Sequence, residues 1–201
     1  MVGYLNEIER LIHLLTRLPG IGPRSAQRIA FFIANSPVDY KKELIDVISS
    51  ISQSVKKCRI CHNFSNEDIC FLCRSKDRDN SIICVVEKPQ DLIAIENSGG
   101  FKGRYYVLYN LLSPIDNIMP EDVDIEGLIK AIEFFGVKEV LLALKSSVEG
   151  EATSLFISER LKDRDLTITR LATGLPMGGE IEYIDERTIF EAIRGRKPIE
   201  K

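Results

Sequence analysis

The chain has 201 residues, 44% of them hydrophobic and 28% charged, with a formal net charge of -3. These are ordinary globular proportions, with length enough to bury a core in one or two domains. The start, MVGYLNEIERLIHLL, lacks the basic region, clean apolar run and small-residue cleavage site of a signal peptide, and no apolar run approaches the roughly 18 residues of a membrane span. The expected location is therefore the reducing cytoplasm, away from membranes, where structural disulfides are rare.

The total charge hides an asymmetry. Residues 1–80 carry 12 Lys and Arg against 9 Asp and Glu, whereas residues 81–201 carry 15 against 21. A mildly basic front and an acidic back fit a polyanion-binding half joined to a half with another task, although differences of this size are common on protein surfaces.

In chain order, apolar side chains at 5, 8, 11, 12, 15 and 18 line one face of a helix over 4–18. Pro19-Gly20 ends it. A second helix is expected from Pro23, a favoured first helical residue, to about Ala34. Ser36-Pro37 stops that helix, and Asp39 is expected to cap a third reaching about Lys56.

The turn between the first two helices, LPGIGPRSAQR, sets Gly20 and Gly22 around one apolar residue. The backbone can then turn tightly and leave main-chain N–H groups open at the start of the second helix. The positive dipole end and unpaired donors of such a start attract phosphate oxygens. Arg24 and Arg28, one helical turn apart, are placed to reach neighbouring phosphates. The competing reading is a plain helix–turn–helix joint whose glycines supply only backbone freedom.

Four of the five cysteines fall in CRICHNFSNEDICFLC, residues 58–73. Each C-x-x-C turn brings two thiolates to one side of a tight loop. Cys58 with Cys61, facing Cys70 with Cys73, makes the all-sulfur tetrahedral cage of a structural zinc site, one ion per chain. A redox or iron–sulfur centre and a pair of disulfides are the alternatives, the last disfavoured by the compartment. His62 is a bystander in this reading, since four thiolates fill the coordination shell. Cys84, inside SIICVV, is expected to be a buried core thiol.

From residue 81 short apolar runs alternate with helical segments: SIICVV, PQDLIAIEN, RYYVLYN, DIEGLIKAIEFFG, KEVLLAL, EATSLFISERLK and LTITRL. This alternation predicts an α/β fold with a mostly parallel sheet and crossover helices. The boundary between the two halves is expected near residue 80, inside RSKDRDN.

LPGIGPRSAQR resembles a helix-hairpin-helix, a DNA-binding element that ignores base sequence. The order of hairpin, four-cysteine module and an α/β half opening VVEKPQDLIAIE resembles the RecR family of bacterial recombination mediators. So do YYVLYNLLSPID, VEGEAT and LATGLPMGGEIEYIDERTIFEAIRGRKP. The likeness runs from about Ile8 to Pro198. It implies a helix-hairpin-helix domain over 1–56, a zinc module over 57–79, a Rossmann-like Toprim domain over 80–173 and a helical C-terminal tail over 174–201 used in oligomerisation. It further implies a clamp, assembled as a homotetrameric ring, that binds single- and double-stranded DNA through Gly20, Gly22, Arg24 and Arg28. With RecO, and with RecF at gaps, such a clamp promotes RecA loading onto single-stranded DNA.

Toprim enzymes hold a divalent cation between a Glu after the first strand and an Asp-x-Asp after a later one. Glu87 stands at the first position. The later strand is followed by Lys145-Ser146-Ser147-Val148 and then Glu149-Gly150-Glu151, so the Asp-x-Asp is missing and Lys145 opposes a metal. The resemblance implies that Glu87, Glu149 and Glu151 contact the RecO and RecF proteins; the alternative is a Toprim-type metal-dependent nuclease or primase-like enzyme. Tyr109-Asn110 replaces the family's usual Gly-Gly, Met119 a usual glycine, and Leu144-Lys145-Ser146 a usual Thr-Asn-Pro. All of these departures fall on Toprim loops.

Overall fold

The structure is a computed structural model that describes residues 5–198. Position 4, where the sequence begins the first helix, and the last three residues of the tail lie outside the described residues. The chain divides into two compact units between Val55 and Lys56.

The first unit is helical. Helix α1 spans Asn6–Leu15, α2 spans Pro23–Asn35 and α3 spans Val38–Ser54. Helix α1 stops short of 18 because the chain tightens after Leu15, where the Thr16 hydroxyl donates to the His13 carbonyl at 2.8 Å. Helix α1 packs on α2, whose Ala26 and Ala30 are fully buried; small side chains there let the two backbones approach. Asp39 does not cap α3. Pro37, with its ring-locked φ of -56°, precedes the first helical residue and accepts from the Lys41 N–H. Asp39 therefore falls inside the first turn, where its charge still suits the helix dipole.

The second unit begins with a two-residue ladder, β1 (Lys56–Lys57) antiparallel to β2 (Phe64–Ser65), which ends α3 before Lys56. The single turn α4 (Phe71–Arg74) follows. Strands β3 (Ile82–Val86), β4 (Arg104–Val107), β5 (Glu139–Ala143) and β6 (Thr167–Arg170) then form one parallel sheet in the order β4-β3-β5-β6. The crossovers carry α5 (Pro89–Ser98), α6 (Ile125–Phe135) and α7 (Val148–Leu161), and α8 (Glu186–Arg194) closes the chain. The alternation seen in the sequence is thus a parallel sheet with helical crossovers, an α/β fold.

Near-continuous apolar runs in β3 and β4 follow from burial on both faces. Ile83, Val85 and Tyr106 pack with Leu128, Ile157 and Leu161 on one side, while Cys84, Val86, Tyr105 and Val107 pack with Leu92 on the other. Side chains cap three helices: Asp124 accepts from the Gly127 N–H, Ser147 from the Gly150 N–H and Asp185 from the Thr188 N–H. Gly150 has no substitute, because a Cβ there would sit 1.9 Å from the Lys145 carbonyl oxygen.

Residue 80 lies inside the second compact unit, where the cysteine module meets the sheet. The charged stretch RSKDRDN is consumed in holding the cysteine module to the sheet: Arg78 donates to the Gly103 carbonyl and to Glu96, and the Asp79 N–H donates to the Lys102 carbonyl. The charged run is thus a set of tertiary bonds.

Candidate nucleic-acid interface and metal centre

The hairpin turn is open. Gly20 adopts φ +76°, a left-handed backbone that side chains disfavour, and Gly22 precedes α2 with φ -80° and ψ 170°. A Cβ at either glycine would meet nothing within 4 Å. No side chain caps α2, and its first helical bond runs from the Ala26 N–H to the Gly22 carbonyl. The N–H groups before Ala26 are the orphan donors that every helix start leaves. Arg24 and Arg28 are exposed, opposite the buried Ala26 and Ala30. Donors and guanidinium groups therefore share one solvent-facing edge.

The four cysteine sulfurs of Cys58, Cys61, Cys70 and Cys73 all lie within 4.8 Å of one another, and all four residues are buried. The Cys58 and Cys73 sulfurs are 3.9 Å apart and those of Cys61 and Cys70 are 3.5 Å apart. Tetrahedral zinc with Zn–S bonds of about 2.3 Å requires sulfur separations of about 3.8 Å, so the cage fits the ion. The knuckles are local: the His62 N–H donates to the Cys58 carbonyl and the Arg74 N–H to the Cys70 carbonyl. The Cys70 N–H points at the Cys58 sulfur, 3.3 Å away, a contact that favours thiolate. Hydrogen bonds from the Cys61, Cys70 and Cys73 thiols hold the Cys58 thiol well below the ordinary range. None of the cysteines forms a disulfide.

The cage leans on the sheet through contacts that spacing does not reveal. Arg104, almost fully buried at the head of β4, donates to the carbonyls of Leu72 (2.6 Å), Cys73 (3.3 Å) and Ser75 (2.9 Å) and to the Asn80 side chain. Its guanidinium also lies over the Phe135 ring. Removing it takes the donor from one buried and two part-buried carbonyls, at a cost of about 1–3 kcal/mol for the buried one. The sequence signal for it is a lone arginine heading the apolar run YYVLY. On the other knuckle the Val107 N–H donates to the Cys61 carbonyl and the Tyr109 hydroxyl to the His62 carbonyl at 2.9 Å. Tyr109 sits at φ +66°, a left-handed backbone that glycine adopts most easily, and its ring centroid lies 3.6 Å from Lys57 Nζ. Its neighbour Asn110 donates to the Asp122 carbonyl.

The acidic residues of the α/β half do not converge. Glu87 follows β3, with its side chain only 12% exposed, and meets Lys88 Nζ at 3.2 Å and Lys145 Nζ at 3.7 Å. Glu149 accepts from the Ser147 hydroxyl, and that bond holds its carboxyl below the usual range. Glu151 faces Arg170 at 3.4 Å. Among the described residues, the four cysteines are the one group whose ligand atoms gather as a metal site requires. No described helix is long and apolar enough to cross a membrane.

Family models match the chain in succession. The RecR helix-hairpin-helix model matches residues 8–51, the RecR four-cysteine zinc finger domain 55–75, the Toprim domain 81–172 and the RecR C-terminal model 174–197. "Recombination protein RecR" of Bifidobacterium adolescentis is 44% identical over 198 residues, 98% of this chain and 99% of that protein. The proteins of the same name from Pelotomaculum thermopropionicum and Desulforudis audaxviator are each 41% identical, over 96% and 98% of this chain and 97% and 99% of their own. The match over 55–75, joined to the sulfur geometry, assigns the cysteine cage to zinc.

Proposed function

The chain belongs to the RecR family of recombination proteins, and from that premise we propose that it is a non-enzymatic DNA clamp of recombinational repair. It binds single- and double-stranded DNA without base preference and, with RecO and RecF, promotes RecA loading onto single-stranded DNA at gaps. The observation that carries this reading is the uncapped start of α2 on an open Gly20–Gly22 turn, with Arg24 and Arg28 on the same exposed edge. Main-chain donors and guanidinium groups contact phosphates, which carry no sequence information.

A ring assembly reconciles DNA binding with a net charge of -3. In such a ring the hairpins line the hole that receives DNA. The unburied apolar face of α3 supports such an assembly: Ile45, Val47, Ile48 and Ile51 are each more than half exposed. Glu87, Glu149 and Glu151 serve the partner proteins, and Lys145 beside Glu87 argues against a catalytic cation there.

A titration of duplex and single-stranded DNA at low salt, beside a mass measurement by light scattering, tests the reading. Sequence-independent, salt-sensitive binding by a tetramer is expected. No binding at low salt, or magnesium-dependent cleavage, would overturn it.

A further inference from the structure

The zinc module leaves two phenylalanines in solvent. Phe64 is 53% exposed and Phe71 is 73% exposed, while Ile60, Ile69 and Leu72 of the same module pack against the cysteines. Both rings line one cavity of about 370 Å³, together with Asn63, Asn66, Glu67 and Arg74. Single exposed apolar side chains need no explanation. Two aromatic rings sharing one polar-edged cavity do.

Both are held on rigid supports. Phe64 sits in the β1–β2 ladder opposite Lys57, its ring centroid 6.4 Å from that of Tyr109. Phe71 opens the helical turn that carries Cys73, directly after Cys70. Zinc fixes both backbones, so little side-chain freedom is lost when a flat ligand settles on them.

Charge selects the ligand. Residues 56–76 carry five Lys and Arg against two acids. Both acids are already matched, Asp68 to Lys56 at 2.6 Å and Glu67 to Arg74 at 2.6 Å. The excess cations are Lys57, Arg59 and Lys76. Aromatic faces on a module with excess cations, edged by amides and by the mutually paired Arg74 and Glu67, match a polyanion whose flat groups are accessible. Duplex DNA buries its bases in the stack; single-stranded DNA offers them, and every base has a face to stack.

We propose that Phe64 and Phe71 form a stacking platform for the unpaired bases of single-stranded DNA. The proposal rests on the DNA-binding function proposed above and adds a second contact that tells single from double strands.

The test uses the full-length, zinc-loaded chain with a fluorescent oligothymidylate and a duplex of equal length. Phe64→Ala and Phe71→Ala should each weaken oligothymidylate binding by about fivefold or more, the equivalent of one lost stack. Duplex affinity, salt slope and zinc content should stay as in the unaltered chain, and Phe71→Trp should retain single-strand binding. In the unaltered chain, a strand carrying 5-iodouracil should photocrosslink to these two residues. If the unaltered chain binds both DNAs and the variants match it, with crosslinks elsewhere, the platform is wrong while the hairpin reading stands. If the unaltered chain binds neither DNA, both readings fall. Loss of a protein partner with single-strand affinity intact would make the cavity a protein-docking surface and overturn the proposal.

Discussion

Lys145 Nζ stands 3.7 Å from Glu87 Oε2, at the carboxyl end of the sheet, where a Toprim enzyme would hold a divalent cation. With Lys88 on the other carboxylate oxygen, Glu87 is neutralised from within the chain. Magnesium should therefore leave the melting temperature of the unaltered protein unchanged, because an ion that does not bind the native state cannot stabilise it. Lys145→Ala should cost less than about 1 kcal/mol, since half of the lysine side chain is exposed. A magnesium-dependent rise in melting temperature, read by calorimetry on the unaltered chain, would show that the lysine does not hold this place.

Arg24 and Arg28 lie on the open edge of α2 and away from its buried alanines. Arg24→Ala with Arg28→Ala should lower DNA affinity and flatten its salt dependence. Each lost phosphate contact removes roughly 0.9 from the log–log slope on duplex DNA, and a ring repeats the loss at every subunit touching DNA. Fold and zinc content should persist. An unchanged slope would make the hairpin a structural turn and move the DNA surface to the cations around the zinc.

The cage and Cys84 should part company chemically. Cys70→Ala removes a ligand and should release the metal and expose the module to proteolysis. Cys84 is fully buried in β3, and burial pushes its thiol up to about 12. Alkylation at neutral pH should spare every cysteine of the zinc-loaded chain. After chelation the four ligands should react, and Cys84 only once the chain unfolds. Intact mass distinguishes these stages. Cys84→Ala should keep full zinc, at a cost of about 1 kcal/mol.

Glu96 accepts two bonds from Arg78, at 2.6 and 3.0 Å, and one from the Tyr105 hydroxyl at 2.7 Å. The Arg78 bonds hold its carboxyl below the ordinary 4.5, against the opposing effect of burial. The folded state thus keeps the carboxylate at pH values where the unfolded chain takes up a proton. The stabilisation is whole above pH 4.5 and is lost as pH falls below it. Glu96→Gln should cost about 1.5–3 kcal/mol at neutral pH and make the acid loss of stability shallower. Urea melts of both chains between neutral pH and about pH 3 check this; parallel acid limbs would sink it.

What the sequence by itself determined is local. The 58/61 and 70/73 spacing brings four sulfurs together, because a C-x-x-C turn is closed by main-chain bonds of its own. Pro23 and the Gly20–Gly22 pair set the hairpin, and the alternation after residue 81 set the parallel sheet, since period and turn chemistry act over a few residues. Tertiary structure decided what joins distant segments. Arg104 reaches back to Leu72 and Cys73, Arg78 forward to Glu96, and Lys145 across to Glu87. No spacing announces such pairs, and a charged stretch such as RSKDRDN reads alike whether it is solvated or bonded. Only folding brings these side chains within reach, where a buried guanidinium must find acceptors and a half-buried carboxylate a cation, because leaving either unpaired away from water costs more than ordering the pair.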